Sequence, residues 1–174
     1  MSFIAVVGSA HLDILSTIVG DVEPIDKIGK LSIHFGGTAY NIAINLSNLG
    51  ENVRFISGMK RSPFTSLILD NLKEHKIEPW VIQQENIPLG GFAAQLWNGE
   101  LISAVSSMPV ETIHFDHNFI VDALSGAKAI ILECNLSPLQ IQLFASVAKT
   151  KNIPVFISSV SEEKSLRLKM VRAP

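Results

Sequence analysis

At 174 residues the chain is long enough for one domain with a substantial core and too short for two ordinary ones. Its 47% hydrophobic and 17% charged content describes a soluble globular protein rich in buried surface, and a net charge of −2 excludes the basic footprint of a nucleic-acid partner. The lone cysteine, Cys134, sits in an apolar run, which excludes an internal disulfide and reads as a buried thiol in a reducing compartment. The N-terminus lacks the basic region of a signal peptide and no apolar run reaches membrane-spanning length, so the expected location is the cytoplasm, away from membranes.

Residues 3–7 form a short apolar run ending at Gly8, the pattern of a strand buried on both faces. His11 and Asp13 then fall just past its carboxyl end, the edge at which open α/β sheets bind ligands. From 14 to 34 there is no helical period, and Gly20, Pro24 and Gly29 mark an irregular excursion with some extended pieces.

The stretch 35–50 is a glycine pair running into an amphipathic helix. Gly36 and Gly37 permit positive φ and a close approach to the main chain, Thr38 is placed to cap the helix, and Gly50 stands where its stop belongs. Ala39, Ile42, Ala43, Leu46 and Leu49 share one face, which should pack on a sheet and leave the first-turn N–H groups and Asn41 pointing over the glycines. Alone, this pattern fits a ligand floor or a tight loop chosen for packing.

A strand over 53–57 and a helix from Ser62-Pro63 to about 75 follow, giving the order of a doubly wound α/β sheet. Two strand-like runs, 92–97 and 101–106, join at Asn98-Gly99, a strong hairpin signal. With the excursion over 14–34, the segment 80–110 can build a small second β layer, a lid over the carboxyl-end pocket. The α/β order then resumes, with a helix over 116–125, a strand over 129–134, a helix from Ser137-Pro138 to 150 and a strand over 153–158. The tail from 161 opens like a helix, and its Lys164, Arg167, Lys169 and Arg172 suit either a membrane- or partner-binding helix or the next helix of the fold. His114 to His117 lacks further ligands at a recognisable metal spacing and reads as a solvated turn and cap.

Together these pieces resemble the ribokinase-like (PfkB) carbohydrate kinases, which phosphorylate sugars and nucleosides with ATP. The segment from Val6 to Asp13 is similar to the family's opening strand, whose acidic residue binds substrate hydroxyls, and Gly36 to Ala43 is similar to its first signature, whose glycine pair and asparagine contact substrate. The segments 99–105, 133–137 and 153–161 resemble pseudouridine kinases most. Ser106 to Val110 departs from their Ala-Asp-Met-Asp pattern, and Ser158-Ser159 from their Asp-Pro. The family's second signature, which supplies the anion hole and general base, and its Asn-x-x-Glu element have no counterpart in the sequence.

The resemblance implies a single ribokinase-like α/β domain over 1–174, its doubly wound sheet incomplete at the C-terminal side, with lid segments inserted at 14–34 and 80–110. It implies substrate binding by Asp13, Gly36, Gly37 and Asn41, with ATP and Mg as cofactors whose site is mostly absent from the chain. His11 stands where many relatives carry asparagine and reads as a substrate contact or a surface histidine; Asn135, past a strand's carboxyl end, is a weaker substrate candidate. No catalytic residue and no metal ligand is assigned. The expected function is the substrate-binding portion of a sugar or nucleoside kinase, pseudouridine included, inactive alone. The alternatives are a non-enzymatic interaction protein dimerising through the lid and a truncated kinase.

Overall fold

A computed structural model describes residues 2–23 and 25–172. Met1, Pro24 of the expected excursion and the last two residues of the tail lie outside the described residues.

Five parallel strands form the main sheet in the order β5-β4-β1-β8-β9. They are β1 (Phe3–Val7), β4 (Val53–Lys60), β5 (Glu78–Gln84), β8 (Ala127–Glu133) and β9 (Val155–Ser158). Helices α1 (Thr38–Asn48) and α2 (Pro63–Glu74) cover one face; α3 (His117–Ala123) and α4 (Pro138–Thr150) cover the other. Alternation along β1 shows why both faces fill. Val6 joins Ala39, Ala43, Ile68 and Leu72 on one side, while Ala5 and Val7 join Ile120, Ile141 and Phe144 on the other. From β1 the chain builds outward toward β4, and from β8 it builds the opposite way toward β9. Their carboxyl ends therefore frame the switch point where such sheets open a crevice.

The second sheet has four strands in the order β3-β2-β6-β7, made of β2 (His11–Ile18), β3 (Gly29–Gly36), β6 (Gly91–Trp97) and β7 (Glu100–Ser107). Pairing is antiparallel for β2–β3 and β6–β7 and parallel for β2–β6. The hairpin turn at Asn98-Gly99 has φ of 52° and 83°, the left-handed geometry that this dipeptide supplies.

Several expectations are corrected. The stretch 14–34 is no irregular excursion: it is mostly β2 and β3, whose alternation is hidden because β3 is exposed on both faces for most of its length. His11 and Asp13 are on β2 itself rather than in a loop, since the chain turns into the second sheet within Gly8–Ala10. β4 runs on to Lys60, and β5 was not anticipated. Leu49 is 81% exposed, so the buried face of α1 ends before it. Gly50, at φ 88°, does end that helix. Asp116 caps α3, accepting from Phe119 N–H at 2.8 Å. The tail is a single turn, α5 (Glu162–Ser165), followed by a 3-10 segment, Leu166–Met170.

Candidate functional site

Around the carboxyl ends of β1 and β8 lies an open cleft of about 210 Å³, walled by His11, Asp13, Gly37, Thr38, Asn41, Phe92, Met108, Asn135, Val160 and Lys164. Sheet register explains the Asp13 side. His34, Asp13, Phe92 and Ser106 stand directly opposite one another across the second sheet, so Asp13 and Phe92 share a face and offer a carboxylate beside an aromatic wall. His11, two residues before Asp13, shares that face, and its Nε2 lies 3.1 Å from Asp13 Oδ1. His11 Nδ1 has no hydrogen-bond partner and Asp13 Oδ1 has only the contact with His11 Nε2, which is costly for buried polar atoms unless a ligand or water completes them. Burial pushes the His11 pKa below its ordinary value, outweighing the pull of Asp13 in the other direction; Lys164 adds to the lowering.

Ser9 organises the floor. Its backbone N–H donates to Glu133 Oε1, its carbonyl accepts from Tyr40 N–H at 3.2 Å, and its hydroxyl accepts from Asn135 Nδ2 at 3.1 Å. Asn135 Oδ1 in turn accepts from Lys164 Nζ. Arg167 fastens the tail behind it, donating to the carbonyls of Asn135 and Leu136 at 3.3 and 3.0 Å and pairing with Glu111 at 3.0 Å. Val160, which leads into α5, holds φ 65°, a conformation that costs a β-branched residue about 1–2 kcal/mol. The tail is thus held over the cleft by specific bonds, and it delivers a cation there.

Two expectations about the floor are corrected. Thr38 does not cap α1: Gly37 occupies the N-cap, at φ 110°, with no side-chain cap bond. The first-turn N–H groups are not all free either. Ala39 N–H donates to Glu133 Oε2 at 3.0 Å and Tyr40 N–H to Ser9, so the helix start is largely satisfied from below.

The six expected site residues converge unequally. Asp13, His11, Gly37, Asn41 and Asn135 meet at the cleft. Gly36 stands behind Asp13: a Cβ there would fall on the Asp13 carboxylate, while a Cβ on Gly37 would press within 2.5 Å of Ser9 O. Both glycines leave room for protein atoms that shape the floor. Sequence reading missed Ser9, Glu133 and Lys164. Only Lys164 carried a usable signal, a cation on the element after a strand's carboxyl end. Among the described residues no three His, Cys, Asp or Glu side chains converge where a metal could sit.

The structure is an α/β fold with a cleft at the carboxyl ends of its parallel strands, and comparison places it. A family model for the pfkB family carbohydrate kinases matches residues 1–171, and the chain belongs to that family. It is 27% identical over 162 residues to a guanosine-inosine kinase of Exiguobacterium acetylicum, a match covering 90% of this chain and 53% of that protein. It is 24% identical over 175 residues to the pseudouridine kinase of Escherichia coli, covering 96% of this chain and 54% of that protein. The Arabidopsis thaliana ribokinase structure, complexed with ribose and ATP, superposes with a TM-score of 0.77 at 20% identity, over 90% of this chain and 53% of that one. The fold is therefore ribokinase-like. The chain spans about half the length of these two kinases.

Proposed function

We propose that this chain is the substrate-binding portion of a sugar or nucleoside kinase, taking a ribose-like ligand in the cleft between the two sheets, with pseudouridine as the first candidate. The observation that carries it is the unpartnered His11 Nδ1 and an Asp13 Oδ1 met only by His11 Nε2, on a wall facing Asn41, Asn135 and Lys164. The Asp13 carboxylate accepts from neighbouring hydroxyls, Asn41 and Asn135 both donate and accept, Lys164 donates, and Phe92 offers an apolar face to a ring. Family membership supports ATP as the phosphoryl donor. Phosphoryl transfer needs a base at the hydroxyl and charge-stabilising donors at the transferred group. The cleft residues bind and orient the acceptor, and the chain alone is proposed to be inactive. The test pairs calorimetric titration of pseudouridine, inosine and ribose with a magnesium-ATP turnover assay. Saturable binding without turnover supports the proposal, and robust phosphorylation by the chain alone contradicts the inactive part of it.

A second reading, dimerisation through the second sheet, is favoured by one observation. Ile33, Ile14, Ala93 and Val105 stand opposite one another on the face away from Asp13, with Ile33 and Val105 62% and 70% exposed. A contiguous apolar row of this kind marks an interaction surface.

A further inference from the structure

Glu133 ends β8 with 0% exposure, yet it does not reach the cleft. Its two oxygens accept from backbone N–H groups far apart in the chain: Ser9, in the turn that launches β2, and Ala39, in the first turn of α1. Those two segments carry the opposite walls of the cleft, His11 and Asp13 on one and Gly37 and Asn41 on the other. A buried carboxylate whose partners are neutral amides is costly to retain, and an apolar side chain would fill a strand end more favourably. Gly8 leaves the room that the side chain occupies, since a Cβ there would fall on it. No side chain of α1 caps that helix, so Glu133 provides the cap from another strand and also neutralises the positive end of the helix.

We propose that Glu133 is a positioning residue: its carboxylate ties the Ser9 turn to the start of α1 and so holds the two walls of the cleft in register, touching no ligand. The inference rests on the reading of the cleft as a hydroxyl-binding site. It also accounts for a floor suited to neutral hydroxyls, because the helix start that would otherwise attract an anion is already occupied by a protein carboxylate.

The full chain is compared with Glu133→Gln, which keeps the shape but turns an N–H group toward a backbone donor. Two readouts are taken, residue-resolved amide exchange and calorimetric titration with pseudouridine, inosine and ribose. The expected result is a folded variant whose Ser9 and Ala39 amides exchange at least tenfold faster while those of Ile56 and Leu132 stay protected, with ligand affinity at least tenfold weaker. Unchanged protection at Ser9 and Ala39, or lost protection with affinity within twofold of the parent, overturns the proposal. Should Glu133→Gln unfold, Glu133→Asp, which keeps the charge one methylene short, is read by the same criteria. If the parent chain binds none of the three probes, the hydroxyl-binding reading fails, while exchange at the two amides still decides whether Glu133 ties the segments.

Discussion

Gly36 lies diagonally across the β2–β3 pair from Asp13, and the Cβ it lacks would occupy the position of the Asp13 carboxylate. The glycine is therefore a condition for the orientation of the acid. Gly36→Ala should force Asp13 from its place, weakening ligand binding by about tenfold or more and costing about 1–3 kcal/mol of stability. Titration calorimetry and urea melts read the two effects separately. An alanine variant binding as tightly as the parent would show that the acid does not need that space.

Lys164 reaches the cleft from the partly exposed turn α5 and donates to Asn135. Removing it should cost affinity rather than stability. For Lys164→Ala we expect ligand binding about tenfold weaker, with unfolding free energy changed by about 0.5 kcal/mol or less. The reverse pattern would make the lysine a structural strut.

The His11 imidazole is held neutral by burial, with its pKa below the ordinary value of 6.5. The unfolded chain therefore takes up this proton at a higher pH than the folded one. The stability that His11 contributes is present above about pH 6.5 and is lost as pH falls through its lower folded value. Urea melts from pH 7.5 down to 5 should show this slope, and His11→Gln should flatten it. An identical slope in the variant would assign the effect to another group.

Gln140 links the cleft rim to the core. Its Nε2 donates to the carbonyls of Val110 and Ile113 at 2.8 and 2.6 Å, while its Oε1 accepts from Ser137 N–H in a capping box. Replacement by Leu leaves two carbonyls unsatisfied around the 3-10 turn Pro109–Thr112 that follows Met108. The expected loss is about 2–4 kcal/mol, read as a fall in melting temperature.

If the apolar row on the outer face of the second sheet pairs two copies, Ile33→Lys with Val105→Lys should yield a monomer with an intact cleft. Sedimentation equilibrium of parent and double variant decides this. A parent that is already monomeric at high micromolar concentration rules the pairing out.

Much of the fold was legible because its signals are local. Continuous apolar runs gave β1 and β8, Ser-Pro pairs gave the starts of α2 and α4, and Asn98-Gly99 gave the hairpin. β2 and β3 were not legible as strands, because solvent on both sides of most of β3 erases the alternation that burial imposes. Asp13 and Asn41, which line the cleft, were singled out as candidates by the resemblance of the segments that contain them. Glu133 was not, since a glutamate closing an apolar run looks like any strand end. Its function lies in bonds to two backbone amides 124 and 94 residues away, which leave no pattern in the sequence.

The central claim is that the cleft binds a hydroxyl-rich, ribose-like ligand through Asp13. It is tested most directly by isothermal titration of pseudouridine into the full chain and into Asp13→Ala. The account predicts saturable one-to-one binding by the parent and affinity about 10- to 100-fold weaker in the variant, the cost of losing a charged hydrogen-bond acceptor. Equal binding by the two proteins would contradict it.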